Sequence, residues 1–379
     1  MDFTLNEEQK QLADSVRRFI EKDYDFEARK KIVASAGGWS PSAWKTMAEL
    51  GLLGLPLSED AGGFGGGAGD LVPVMNEIGA GLVVEPFLAT VGLAGRLVDR
   101  AGSAAQRQAL GPAIVDGSLK LALAQTEDGA GHDLAWVATT ARRDGAGWTI
   151  DGGKIAVLHA PTADKLVVSA RTAGKAGDAA GLSLFLVDAN AAGVSMKTYR
   201  TQDGVRGADV TLEGVRVGAD ALIGAEGGGF EPLEEAVDFA TVLLCAEAVG
   251  VMKFACDTTL EYLKTRKQFG VNIGSFQALQ HRMVDMIVNT EQSRSITYLA
   301  CSKVDGGAAN AAERRRVVSA AKVKIAESAR HVGQEAIQLH GGMGMTVELK
   351  VSHAFKRLTM IRQQFGDEDF HLARFSKAA

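Results

Sequence analysis

AEGGGFEPLEEAVDFATVLLCAEAVGVMKFACDTTLEYLKTRKQFG, residues 225–270, is the stretch on which the fold turns. After Pro232 it has no proline, so nothing in it removes a helical N–H or clashes with the preceding turn. Its apolar residues cover a broad face, which predicts a long buried helix. Gly228 and Gly229 stand at its entrance, and Thr265-Arg266-Lys267-Gln268-Phe269-Gly270 closes it. Downstream, GSFQALQHRMVDMIVNTEQSRSITYLACSKV (274–304) and AAERRRVVSAAKVKIAESARHVGQEAIQLHGG (311–342) predict two more helices. Long helices with short connections favour an antiparallel bundle.

Upstream, residues 119–225 change character. WTIDGGK, KLVVSAR, LSLFLVD and ADVTLEGVRV are short, β-rich and separated by Gly, Asp and Ala turns. Val210, Leu212, Val215 and Val217 include period-two pairs. No helices alternate with these strands, so they predict a compact antiparallel β-domain and not βαβ units. Residues 1–118 read mostly as helix. Thr4 and Glu7 fit a capping box, and Leu12, Val16, Phe19 and Ile20 recur at helical spacing. SPSAWKTMAELG (40–51) starts another helix that stops at Gly51, and SEDAGGFGGGAGD (58–70) reads as a glycine-rich loop. The expectation is an α+β protein: an N-terminal helical domain (1–118), a middle β-domain (119–225) and a C-terminal helical bundle domain (226–379).

The 379 residues suffice for two or three cores, and 46% hydrophobic with 23% charged residues describes an ordinary globular chain. A net charge of −5 offers no basic excess for nucleic acid or an anionic membrane. Cys245, Cys256 and Cys301 form neither a disulfide framework nor a metal spacing. The acidic start MDFTLNEEQKQL is unlike a signal peptide. GLVVEPFLATVGLAGRLV (81–98) carries Glu85, Pro86 and Arg96, a poor membrane span. These readings point to a cytoplasmic protein.

Four segments carry chemistry only in combination. Gly63, Gly65 and Ala68 formally match a dinucleotide fingerprint, but no strand precedes them and a loop is the better reading. Arg266 at a helix end is either a dipole complement or a cationic fork for phosphate. Gln338 and His340 before Gly341, Gly342 and Gly344 read as a helix end where a ligand approaches backbone closely. Thr126 and Glu127 end the apolar run LALAQ, with Gly129 and Gly131 allowing a tight loop.

Taken in this order, the segments resemble the acyl-CoA dehydrogenase flavoprotein family over nearly the whole chain. FTLNEEQKQLADSVRRFI and WKTMAELGLLGLPLSEDAGGFGG look like its opening helices. TEDGAGHD, TTA and WTIDGGK are similar to its T-E-P-x-A-G-S-D segment and following strands. TRKQFG with FQALQ, and then QLHGGMG, are similar to its FAD-binding segments. The resemblance implies three domains ending in a four-helix bundle, assembly as tetramers, and FAD shared between subunits. It implies that Arg266 meets the FAD pyrophosphate and that Gln268 and Phe269 lie along it. Ile273, Phe276, Gln277 and Leu279 would line the adenine end. Gln338, Gly341 and Gly342 would receive a neighbouring subunit's FAD, and Thr126 would hydrogen-bond the isoalloxazine ring. The departures are Ala156, Val157 and Leu158 where the family often has W-I-T, Asp128 at its proline and His132 at its serine.

The family's reaction needs a carboxylate to take the substrate α-proton and donors for the thioester oxygen. Against the family's C-terminal Tyr-Glu-Gly-Thr, the chain places Phe365, Gly366, Asp367 and Glu368, so glycine stands where the base is expected. The Gly366 N–H remains available as an oxyanion donor. The family's alternative base position, on the long helix, falls on Ala240, followed by Thr241. The remaining candidates are Asp367, one residue from the usual place, and Glu247, seven residues beyond Ala240 on about the same helix face. The competing reading of Glu247 is a structural ion pair. That of Asp367, Glu368 and Asp369 is a cap on a last short helix, FHLARF.

VEPFLATVGLAG, AEAVG and QQFGDEDFHL look most like small subunits of two-component acyl-CoA dehydrogenases, such as those acting on pimeloyl-CoA or steroid side chains. Three readings follow. The first is an FAD-dependent dehydrogenase subunit that works on an acyl-CoA with a larger homologous partner, as a heterotetramer. The second is a homotetramer with an unusual base, and the third is a non-catalytic flavin-binding or structural subunit. The resemblance implies an electron-transfer flavoprotein as acceptor.

Overall fold

The computed structural model describes residues 5–305 and 311–378. In chain order it has N-terminal helices, a middle sheet and a C-terminal helical bundle. The first six helices are α1 (Glu7–Asp23), α2 (Phe26–Ala34), α3 (Pro41–Glu49), α4 (Ala68–Gly81), α5 (Arg96–Ala101) and α6 (Ala104–Val115). The cap of α1 differs from expectation. Asn6 is the N-cap and forms a capping box with Gln9, while Thr4 lies outside the described residues. For α3, Ser40 caps the first turn, Pro41 follows, and Gly51 adopts φ 74 just beyond the end. A π-helical stretch, Leu88–Gly95, leads into α5.

The sheet comprises β1 (Leu121–Ala124), β2 (Thr140–Asp144), β3 (Gly147–Leu158), β4 (Lys165–Arg171), β5 (Leu182–Asp188), β6 (Val194–Arg200), β7 (Arg206–Val217) and β8 (Leu222–Ile223). Its order is β6-β7-β3-β2-β4-β5-β8, with β1 also paired to β4. Most pairs are antiparallel, as the turn-separated strands predict. The β1–β4 ladder is parallel, Leu121 opposite Lys165 to Ala124 opposite Val168. Alternation along a strand carries no information on its partner's direction, so this pairing was not readable. Trp148, Ile150, Val168, Phe185, Val210 and Val215 form the core of this domain.

The bundle contains α7 (Phe230–Thr265), α8 (Gln277–Val304), α9 (Ala311–His340), α10 (Lys350–Gln363) and α11 (Glu368–Lys377), with α9 packed on α8, α10 and α11. Helix α7 is the long buried helix the sequence predicts. It is long and apolar enough to cross a membrane, yet 89% of its most apolar window is buried inside the protein. It approaches α4 backbone to backbone. A Cβ on Gly250 would lie 1.9 Å from the Asn76 carbonyl, and one on Gly79 would lie 2.1 Å from that of Glu247. Only glycine permits that approach.

By contacts the chain forms two compact units, Met1–Lys30 with Gly67–Val83 and Thr241–Ala379, and Lys31–Gly66 with Val84–Ala240. The glycine loop up to Gly66 belongs to the second unit. The N–H groups of Gly63, Phe64, Gly65 and Gly66 bond to Ser58, Gly54, Leu57 and Leu55 carbonyls, so they are not free to cradle a phosphate.

Candidate functional site

Beyond α7 the chain turns into a short hairpin, β9 (Lys267–Gln268) paired with β10 (Val271–Asn272). Its two-residue loop, Phe269 at φ 55 and Gly270 at φ 79, has the positive-φ pair of a type I′ turn. This presents Phe269 at 91% exposure, edge-on to Phe276 at 6.3 Å. Ile273 N–H bonds the Arg266 carbonyl at 2.9 Å, which ties the hairpin base to the helix end. Gln277 and Leu279 open α8 directly after it.

The end of α9 lies beside the last turns of α7. Tyr262 of α7 stacks on His340 at 4.5 Å, and His340 Nδ1 donates to the Ala336 carbonyl at 2.8 Å. Gln338, Gly341 and Gly342 are exposed, Gly341 has φ 60, and a Cβ on either glycine would meet nothing within 4 Å. The Arg266 and Gln338 side chains are exposed and bond to no partner among the described residues. The end of α7 and its hairpin thus carry, among the described residues, a guanidinium without a partner and an exposed aromatic pair, and the end of α9 carries an amide without a partner and bare backbone. This is a donor set suited to a pyrophosphate attached to planar rings.

Thr126 belongs to the other unit. It follows β1 half-buried, and its carbonyl accepts the Ile155 N–H at 2.8 Å. Just beyond, β3 bulges against β7 between Lys154 and Val157, with Ala156 at φ 53. Of the positions where the family often has W-I-T, the exposed Ala156 lies in the bulge, while the buried Val157 and the half-buried Leu158 pair with Ala208 and Gly207 of β7.

The turn between α10 and α11 is held by the buried side chains of Lys322 and His371. Asp367 is the N-cap of α11 and accepts the Phe370 N–H at 2.9 Å. Glu368 accepts from Arg362 Nη2 at 2.9 Å, and Asp369 is exposed. Phe365 and Gly366 have φ of 60 and 115. A Cβ on Gly366 would lie 2.5 Å from Phe370 and 2.7 Å from His371 Nε2. Lys322, fully buried on α9, donates to the carbonyls of Gly366 at 2.6 Å and Arg362 at 3.1 Å. His371 Nε2 lies 3.0 Å from the Phe365 carbonyl and Nδ1 lies 3.3 Å from Ser319 Oγ. A carbonyl only accepts, so Nε2 carries a proton. Burial pulls Lys322 down to about 8, against the opposing influence of Cys245, Asp367 and Glu368.

Glu247 is buried and held bidentately by Arg357 of α10, Oε1 to Nε at 2.5 Å and Oε2 to Nη2 at 2.7 Å. Ala240 and Thr241 are buried in α7. The sequence reading missed Lys322, Arg357 and His371. Lys322 had a signal. It occupies the apolar stripe of α9 with Val318 and Ile325, four before and three after, where a lysine needs a reason.

The three segments of the chain match family models described as the acyl-CoA dehydrogenase N-terminal domain (residues 6–118), middle domain (122–215) and C-terminal domain (227–379). The chain is 30% identical over 357 residues to the caffeyl-CoA reductase-Etf complex subunit CarC of Acetobacterium woodii, with 93% of each chain covered. It is similar to a solved steroid ACAD variant, Tcur3481-Tcur3483, at 31% identity and TM-score 0.88, covering 99% of this chain and 98% of that one. The ChsE4-ChsE5 complex from Mycobacterium tuberculosis matches at 26% identity and TM-score 0.90, over 100% and 98%.

Proposed function

The chain is a member of the acyl-CoA dehydrogenase family, FAD-dependent oxidoreductases of acyl-CoA thioesters, and from that premise we propose that it is the base-free subunit of a heterotetramer with a larger homologous subunit. The observation that carries this reading is the turn at Gly366. Glycine stands at the usual base position, in a left-handed conformation whose Cβ space is filled by Phe370 and His371. The two carboxylates next to it are engaged, Asp367 as a helix cap and Glu368 with Arg362, Asp369 is exposed, and Glu247 is engaged by Arg357. A partner whose own turn carries the base supplies the proton acceptor. The likeness to two-name assemblies, Tcur3481-Tcur3483 and ChsE4-ChsE5, supports it.

The domain boundaries we adopt are 118/119 and 225/226, consistent with β1 starting at Leu121 and α7 at Phe230. FAD, when bound, would supply a hydride acceptor for the acyl β-carbon. Arg266 pairs with its pyrophosphate as a planar cation, with Gln268 and Phe269 beside it. Ile273, Phe276, Gln277 and Leu279 border the adenine. Gln338, Gly341 and Gly342 present a free amide and bare backbone to the FAD of a neighbouring subunit. Thr126 orients the flavin ring through its hydroxyl. Gly366 is a buried residue whose N–H donates to no acceptor among the described residues. It is a donor for the thioester oxygen, fixed in place because Lys322 and His371 hold the neighbouring carbonyls. An electron-transfer flavoprotein is the acceptor, supported by the likeness to an Etf-complex subunit. The three cysteines are free and buried, and burial pushes Cys245 up to about 12, which suits a reducing, cytoplasmic compartment.

The test is anaerobic bleaching of the flavin by a panel of acyl-CoAs, with and without the co-expressed homologous subunit. Bleaching only in the complex is expected. Bleaching by the lone chain refutes the need for a partner, and absence of flavin from both refutes the cofactor assignment.

A further inference from the structure

Residues 125–139 form neither helix nor strand, yet they hold Thr126. What fixes them is a buried polar hub. Glu127, 5% exposed, accepts the N–H groups of Ala138 at 2.6 Å and Thr139 at 3.1 Å, closing the segment on itself. It also accepts from Lys154 Nζ at 2.6 Å, and Lys154, 1% exposed, donates to Ser169 Oγ at 2.9 Å. Two residues along β4, the buried Arg171 donates to the carbonyls of Val137, Ala135, Asp178 and Ala180 at 2.8–3.1 Å. The segment is therefore anchored at residues 127, 135, 137, 138 and 139.

The placement of Lys154 gives the hub its second consequence. Its side chain reaches inward to Glu127, the next N–H, of Ile155, bonds the Thr126 carbonyl, and the β3 bulge at Ala156 comes directly after. One ion pair thus sets both Thr126 and the bulge. A buried pair of this kind is often no more stable than an apolar replacement, so its geometry is the main thing it contributes. Burial raises the Glu127 carboxyl, but Lys154, Ala138 and Thr139 outweigh it and hold it below the ordinary range, so the pair stays charged on the carboxylate side.

We propose that Glu127 and Lys154 are positioning residues of the flavin site, fixing Thr126 and the Ala156 bulge against the isoalloxazine ring. This rests on the flavin reading above. The test compares FAD-loaded wild type with Glu127→Gln, Lys154→Met, the double variant and Lys154→Arg. It measures the flavin absorption spectrum, the two-electron midpoint potential and thermal unfolding. The single variants are expected to unfold earlier and to change the ratio of affinities for oxidised and reduced flavin about tenfold, a shift of about 30 mV. The double variant is expected to recover unfolding temperature but not potential. Lys154→Arg keeps the cation, and it is expected to fold with an altered spectrum. Unchanged spectra and potentials in variants that merely unfold earlier would reduce the pair to a structural clip and overturn the proposal. Wild type that takes up no FAD overturns the flavin reading and this proposal together, and spectra distinguish the two failures.

Discussion

Glu247→Gln separates a structural from a catalytic carboxylate. Glu247 and Arg357 keep only 4% and 13% of their side chains exposed, and both carboxylate oxygens are occupied. The amide keeps the shape but leaves a buried guanidinium without its counter-charge. Removing one member of such a pair costs about 3–5 kcal/mol. With a guanidinium slope of about 2–6 kcal/mol per molar, the unfolding midpoint of the helical unit falls by about 0.5 M or more. Glu247→Gln with Arg357→Met removes both charges, and much of the loss is expected to return, giving a large coupling in a double-mutant cycle. Turnover of the assembled complex, assayed at a temperature where the variant stays folded, is expected to change only a fewfold. Loss of a general base instead costs about 10²–10⁴-fold. An unchanged midpoint with a hundredfold loss of kcat would refute the structural role and make Glu247 the base.

Three further outcomes are expected. Asp367→Ala loses about 1 kcal/mol, the usual worth of an N-cap, while Asp367→Asn retains most of it, by denaturant unfolding; a large drop in kcat for Asn alone contradicts the capping role. Gly366→Ala loses about 1–3 kcal/mol or more from its positive φ and the clash with Phe370, and Gly366→Glu does not make the lone chain active; flavin bleaching by that variant alone would show that the turn can accept a base. For Lys322 the folded value near 8 lies below the ordinary lysine value of 10.5. The unfolded chain therefore binds more protons across that window, and the contribution of Lys322 to stability rises from pH 8 to 10.5. The stability gap between wild type and Lys322→Met is expected to widen with pH, and a gap that narrows contradicts a buried, desolvated lysine.

Much of this protein was legible before any coordinates. The long apolar stretch without proline becomes α7, and the turn-separated β-rich runs become β3, β4, β5 and β7. The segments resembling FAD sites end α7 and α9, where Arg266 and Gln338 have no side-chain partner among the described residues. These follow from local rules, since periodicity, breakers and spacing act over a few residues. The caps tested those rules at close range. Ser40 and Gly51 bound α3 as read, whereas Asn6, two residues after Thr4, caps α1, because both are capping residues with a glutamate or glutamine three further on.

By itself the sequence determined the domain order and the family, and its resemblance set Gly366 where the base is expected. What became of the carboxylates only the tertiary structure decided. Glu247 meets Arg357 from 110 residues away, Lys322 reaches the Gly366 carbonyl from 44, and Glu127 meets Lys154 across 27. Burial and pairing set the role of a charge, and both depend on elements distant in the chain. The same residue types read as base, cap or clip until packing selects one partner for each.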